Sequence, residues 1–122
     1  MKTAVIGAGG WGTTIALLLE EGGHDVTLWA RSEKFAGTIS KSRENSTYLP
    51  GINIPQRIII THDAKLLKDK ELYVFAVPSQ SLREVATTLW PFIRNETALY
   101  ISATKGHEGN TLKSKTEVIQ QV

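Results

Sequence analysis

The sequence predicts an α/β fold in which a doubly wound, mostly parallel sheet carries helices on both faces. Three observations predict it. Short apolar runs alternate with amphipathic helical stretches, loops rich in glycine or proline separate them, and a glycine cluster follows the first run. Alternation of strands and helices is typical of βαβ units, whose strands pair in parallel. The 122 residues are about the size of one domain.

The first half of the chain contains two predicted strand–helix pairs. The strands and helices are expected over residues 2–7, 11–21, 24–31 and 33–42. The first strand (KTAVIG) is apolar and breaks at glycine, and Gly22-Gly23 ends the first helix. Ser32 precedes the second helix and is predicted to cap its amino terminus.

The second half is predicted to contain three more strands. They are expected over residues 57–61, 71–77 and 98–102. Asp63 is predicted to cap a short helix, and Ser79 a longer one that Pro91 should end or kink. The segment NSTYLPGINIP, residues 45–55, is interpreted as a loop because it is too irregular for a helix.

Composition and charge exclude several classes of function. Basic residues outnumber acidic ones by 14 to 12 and are spread along the chain, so we expect no nucleic-acid partner. No apolar run reaches the ~20 residues that span a bilayer, so we expect no membrane insertion. Cysteine is absent, which excludes disulfides and thiolate metal sites and fits a cytoplasmic protein, and the three scattered histidines predict no metal site.

A glycine loop connects the first predicted strand to the first predicted helix. Gly7, Gly9 and Gly12 fit the pattern G-x-G-x-x-G within a βαβ unit of roughly 30 residues. In such a loop the first glycine permits a tight turn, the second lets a pyrophosphate approach the backbone, and the third lets the helix pack closely. The sequence therefore predicts a Rossmann-type dinucleotide-binding site. The alternative is a glycine-rich turn that binds no ligand.

The end of the second predicted strand bears on the choice of dinucleotide. A carboxylate there typically holds the 2′-hydroxyl of NAD, but the end of this strand reads LWARS, residues 28–32, and the next acid is Glu33. Arg31 stands there instead, where it can pair with a 2′-phosphate or stack on adenine. This favours NADP, or acceptance of both NADP and NAD. The alternative is that Arg31 is only a solvated residue at a strand end.

Several segments together resemble the N-terminal half of the bacterial-type NAD(P)-dependent glycerol-3-phosphate dehydrogenases. They are GAGGWGT, LWAR, NSTYLPG, VFAVPSQ and SATKG, in matching order along essentially the whole chain. The resemblance implies hydride transfer between NAD(P)H and dihydroxyacetone phosphate, giving sn-glycerol 3-phosphate for phospholipid synthesis. It also implies that a second, helical domain supplies the catalytic lysine, so the chain is expected to be a fragment, residues 1–122, without that domain. The parent enzyme is expected to be a homodimer.

The resemblance also assigns roles to single residues. It places Gly10 and Trp11 near the pyrophosphate and nicotinamide, Arg31 and Ser32 at the adenosine end, and Tyr48 along the cofactor. Lys105 matches a lysine that reaches both cofactor and substrate, and so would bind the substrate phosphate. The sequence departs from the family pattern at Ser32, where many relatives carry a second basic residue, and at Ser46, where they carry proline.

Residues at the other predicted strand ends extend the expected site. Pro78 ends the strand VFAV and is expected to stiffen the backbone against the nicotinamide, whereas Phe75 is expected in the core. Two alternatives to the dehydrogenase hypothesis stay open at this point. One is a stand-alone dinucleotide-binding module without chemistry, and the other is a different reductase with the same glycine loop, such as a ketopantoate reductase or a 6-phosphogluconate dehydrogenase.

Overall fold

A computed structural model of the chain describes residues 1–103. Lys105, and the stretch of chain after it, lie outside the described residues. The strands are β1 Lys2–Ile6, β2 Asp25–Trp29, β3 Glu44–Asn45, β4 Leu49–Asn53, β5 Ile59–Thr61, β6 Leu72–Phe75 and β7 Leu99–Ser102. The helices are α1 Gly10–Glu21, α2 Glu33–Ser42, a 3-10 turn Ala64–Leu67 and α3 Ser79–Ile93.

Five of the strands form one parallel sheet in the order β5-β2-β1-β6-β7. The chain moves outward from β1 in one direction through β2 and β5, then returns to β6 and moves in the other direction to β7. This is the doubly wound arrangement, so the predicted fold class is confirmed. The point at which the direction reverses lies between β1 and β6.

Each face of the sheet covers its own hydrophobic core. Alternate residues of β1 point to opposite faces, so Ile6 packs with α3 and the 3-10 turn, whereas Val5 packs with α1 and α2. Phe75 is fully buried in the first of these cores, as expected. The predicted presence of helices on both faces is therefore confirmed as well.

The interpretation of residues 45–55 as a loop is wrong in part. β3 and β4 pair antiparallel and form a small two-stranded sheet of their own. Four of the five residues of β4 are exposed, so the strand has no apolar alternation that a sequence pattern could show.

The helix starts agree with the sequence at two of three predicted caps. The Oγ of Ser32 accepts a hydrogen bond from the Phe35 amide at 3.1 Å, and the Oδ1 of Asp63 accepts one from the Lys65 amide at 3.0 Å. Ser79 is not the cap of α3, because the extended backbone of Pro78 occupies that position and Ser79 is the first helical residue. Pro91 lies inside α3, which ends two residues later at Ile93. None of the helices within residues 1–103 is long and apolar enough to cross a membrane.

Arg43 ends α2 and fixes the segment that follows the small sheet. Its backbone is left-handed, with φ 57°, and its side chain is buried. Burial lowers the pKa of Arg43 from its ordinary value. The guanidinium donates four hydrogen bonds to backbone carbonyls, those of Ser40, Ile54, Pro55 and Ile58, at 2.6–3.3 Å.

Candidate cofactor-binding cleft

A cleft of about 520 Å³ opens at the carboxyl edge of the sheet, where the direction of winding reverses. Ligands of doubly wound proteins bind at this position, and the volume lies in the range of small-molecule sites. The glycine loop, the residues after β2 and β6, and the start of α3 line the cleft together with one turn of the small sheet. Six of the predicted site residues are among the lining residues: Gly7, Gly9, Arg31, Ser32, Tyr48 and Pro78.

Two glycines of the loop are required by its geometry. Gly7 has φ +119°, and a Cβ on it would lie 2.6 Å from the carbonyl oxygen of Ala76. A Cβ on Gly12 would lie 1.8 Å from the carbonyl oxygen of Gly7. The loop is therefore packed against the end of β6 on one side and against α1 on the other. This agrees with the tight turn and close helix packing expected from the glycine spacing.

Gly9 differs because the space beside it is open. A Cβ there would meet no atom within 4 Å among the described residues. Gly9 is also the N-cap of α1, whose first turn carries no acidic residue and whose cap makes no side-chain hydrogen bond. The partial positive charge of the helix N-terminus is thus not balanced by a carboxylate of its own first turn, which suits an anionic ligand.

Asn45 ties the small sheet to the glycine loop. Its fully buried side chain donates from Nδ2 to the carbonyl of Ala8 at 2.8 Å and to the Oγ1 of Thr13 at 2.9 Å. Its Oδ1 accepts a hydrogen bond from the Tyr48 amide at 3.3 Å. One side chain therefore positions the loop, the start of α1 and the turn that carries Tyr48. Sequence reasoning assigned no role to Asn45, since partners 37 and 32 residues away leave no periodic signal.

Replacing Asn45 by alanine should lower the free energy of unfolding by about 2 kcal/mol, because buried polar groups lose their partners. Affinity for a dinucleotide should fall as well, since the glycine loop loses a lateral support. Chemical denaturation and calorimetric titration would measure the two effects. Asn53→Ala is the matched control, as Asn53 is exposed on β4 of the same small sheet, and it should change stability by less than about 0.5 kcal/mol. Equal effects of both substitutions would contradict the assigned role of Asn45.

Tyr48 forms part of the cleft wall, as the resemblance implies for a residue along the cofactor. Its side chain is 58% exposed and its ring meets that of Phe35 edge-to-face, with centroids 5.8 Å apart. Gly10 lies directly behind, where a Cβ would approach the carbonyl oxygen of Tyr48 to 3.0 Å. Because Gly10 has no side chain, the turn that carries Tyr48 can pack onto the start of α1.

Trp11 and Gly12 lie at the start of α1 and are not among the residues that line the cleft. The Nε1 of Trp11 donates a hydrogen bond to the carbonyl of Ala103 at 2.6 Å, so Trp11 connects α1 with the end of β7. Its ring is 45% exposed. Lys105, the predicted substrate-binding residue, lies two residues beyond Ala103 and outside the described residues.

Arg31 stands where the sequence places it, just after β2, but it is already paired within the protein. Its guanidinium forms an ion pair with the carboxylate of Glu84 on α3. Both side chains are more than half exposed, so the pair is a surface ion pair at the mouth of the cleft. Sequence reasoning missed Glu84, which is 53 residues away and carries no motif.

The residues of the cleft fit a dinucleotide. The two phosphates fit the open space beside Gly9 and the N-terminus of α1, whose first turn has no acidic residue. The adenosine fits the far end of the cleft, where Arg31 supplies a cation. Apolar walls from Val77, Val85 and Phe35 suit aromatic rings.

Comparisons with known proteins agree with this geometry. Residues 2–122 match the profile of the family described as NAD-dependent glycerol-3-phosphate dehydrogenase N-terminus. A glycerol-3-phosphate dehydrogenase [NAD(P)+] of Citrifermentans bemidjiense is 43% identical over 122 residues, which is 99% of this chain and 36% of that protein.

Two solved structures extend the likeness to the fold. The glycerol-3-phosphate dehydrogenase of Coxiella burnetii has a TM-score of 0.84 at 29% identity, covering 98% of this chain and 37% of that one. That of Saccharomyces cerevisiae has a TM-score of 0.81 at 30% identity, covering 97% and 39%. The chain thus spans somewhat more than a third of the length of these relatives. By its match to the family profile, the chain belongs to the NAD-dependent glycerol-3-phosphate dehydrogenase family and corresponds to its N-terminal part.

Proposed function

We propose that the chain binds NAD or NADP in the cleft and serves as the dinucleotide-binding domain of a glycerol-3-phosphate dehydrogenase. The whole reaction is the reversible transfer of hydride between NAD(P)H and dihydroxyacetone phosphate, with sn-glycerol 3-phosphate as the reduced product for phospholipid synthesis. The observation that carries the proposal is the glycine loop at the reversal point of the sheet, where Gly9 is open beside the N-terminus of α1.

Different residues of the cleft bind different parts of the dinucleotide. Gly9 and the first turn of α1 accept the pyrophosphate, because backbone amides and the helix dipole favour an anion there. Arg31 and Ser32 hold the adenosine end, and Tyr48 covers the cofactor along its length. Pro78 lines the opposite wall at the nicotinamide end.

The chemistry of the reaction is divided between the cofactor and the protein. A bound nicotinamide dinucleotide supplies or accepts the hydride. The chain orients the dinucleotide through the glycine loop, and Lys105 binds the substrate phosphate, as the resemblance implies. A second, helical domain would supply the lysine that transfers the proton. The 122-residue chain should therefore bind the dinucleotide without turnover.

Calorimetric titration of the chain with NADPH and NADH tests the proposal. Both should bind at one site, and Arg31→Ala should weaken NADPH about five-fold more than NADH, because it removes a cation from the 2′-phosphate. Lys2→Ala is the control, since Lys2 lies at the amino end of β1, at the opposite edge of the sheet. Failure of both nucleotides to bind would reject the dinucleotide site in this chain.

The family match argues against the alternative of another reductase with the same glycine loop. The second candidate is a stand-alone dinucleotide-binding module without chemistry. Fusing the chain to the helical domain of a relative distinguishes this candidate from the dehydrogenase. The dehydrogenase proposal expects the joined protein to reduce dihydroxyacetone phosphate. Binding of NADH without any reduction in the joined, folded protein would favour the module. A cytoplasmic location and a homodimeric parent enzyme belong to the same proposal.

A further inference from the structure

Arg31 and Glu84 join the two sides of the cleft at its mouth. Arg31 follows β2, whereas Glu84 lies on α3, next to Val85 and one helical turn after Ser81, both of which line the cleft. Their ion pair crosses the carboxyl edge of the sheet in front of β1. The cation that faces the adenosine end of the proposed cofactor therefore has a partner before any ligand arrives.

Building on the proposed dinucleotide site, we propose that Glu84 sets the selectivity between NADP and NAD by competing with the 2′-phosphate for Arg31. A phosphate monoester carries about −1.5 to −2 charge at neutral pH, whereas the 2′-hydroxyl of NAD is neutral. A guanidinium binds phosphate best through two parallel N–H donors. Glu84 already accepts a hydrogen bond from the Nη2 of Arg31, so a 2′-phosphate must either displace the carboxylate or share the guanidinium with it, and in both cases a second anion lies beside Glu84. NAD demands neither change.

The exposure of the pair decides how large this effect is. The side chains of Arg31 and Glu84 are 57% and 67% exposed, so water and salt weaken their attraction. The guanidinium is therefore released at modest cost. Glu84 reduces the preference for NADP by a moderate factor and does not exclude NADP.

The test measures the affinities of the 122-residue chain for NADPH and NADH at low ionic strength. Glu84→Gln should raise the affinity for NADPH about three- to five-fold, because it frees a charged donor for the phosphate. The affinity for NADH should change by less than about two-fold. In an Arg31→Ala background, Glu84→Gln should lose most of its effect, since no guanidinium is left to compete for.

Glu96→Gln is the matched control. It removes the same charge from the exposed loop between α3 and β7, at the amino-terminal edge of the sheet, and it should leave the ratio of the two affinities unchanged. An unchanged ratio in Glu84→Gln would overturn the inference, and so would an equal gain for both nucleotides or a full gain without Arg31. Failure of both nucleotides to bind the unsubstituted chain would instead overturn the proposed function itself.

Discussion

Replacing Gly12 by alanine is expected to lower the free energy of unfolding by about 3 kcal/mol or more and to abolish dinucleotide binding. The new Cβ would lie 1.8 Å from the carbonyl oxygen of Gly7 and 3.3 Å from the Cβ of Ala76. Its closest contact is a backbone atom, which cannot move aside by a change of side-chain rotamer. Either α1 moves off the sheet or the glycine loop changes shape, and both changes alter the cleft. Thermal unfolding and calorimetric titration with NADH would measure the two losses.

Gly37→Ala is the control for this prediction. Gly37 lies in the middle of α2, and a Cβ there would meet no atom of residues 1–103 within 4 Å. Alanine should therefore stabilise the helix by up to about 1 kcal/mol, with unchanged binding. A Gly12→Ala chain as stable as Gly37→Ala would contradict the close packing of α1 on the loop.

Replacing Arg43 by methionine is expected to lower the free energy of unfolding by about 3 kcal/mol. Methionine keeps most of the apolar stem but leaves four carbonyls without the guanidinium that bridges them. The segment after the small sheet then loses its link to the end of α2. Binding of NADH should weaken too, because Asn45 and Tyr48 lie in the stretch between Arg43 and its carbonyl partners. Urea denaturation followed by circular dichroism would give the change in stability.

Arg94→Met provides the comparison, because Arg94 is likewise the residue that ends a helix but is exposed. Its substitution should alter stability by less than about 0.5 kcal/mol. Arg43→Lys should fall between the two, since an ammonium keeps the charge but not the planar set of donors. Similar losses in Arg43→Met and Arg94→Met would show that the bridging hydrogen bonds contribute little.

The sequence predicts the fold well where local pattern and burial agree. The buried strands of the main sheet are apolar and bounded by glycine or proline, so their order along the chain could be predicted. Ser32 and Asp63 cap helices through contacts two or three residues away, which a sequence window contains. The prediction that Ser79 caps α3 is wrong because Pro78 supplies the extended backbone that a cap requires. In the sequence alone, a hydroxyl one position later resembles a cap.

The part of the site that could not be predicted depends on contacts between distant residues. The glycine loop could be recognised in the sequence because its function requires glycines at a fixed local spacing. Asn45, Arg43 and Glu84 act through partners that only the folded chain brings near. None of them follows a helical or strand period toward those partners. Arg31 shows the difference within one residue, because its place after β2 was predictable and its pairing was not.

The hydrogen bonds of Asn45 have a consequence for the order of folding events. The side chain of Asn45 reaches back 37 residues to Ala8 and 32 residues to Thr13, across α1, β2 and α2. Contacts of such long range close late, after local helices and hairpins have formed. The glycine loop therefore reaches its final shape only when the small sheet has docked. Nucleotide binding during refolding should then lag behind the recovery of helix content.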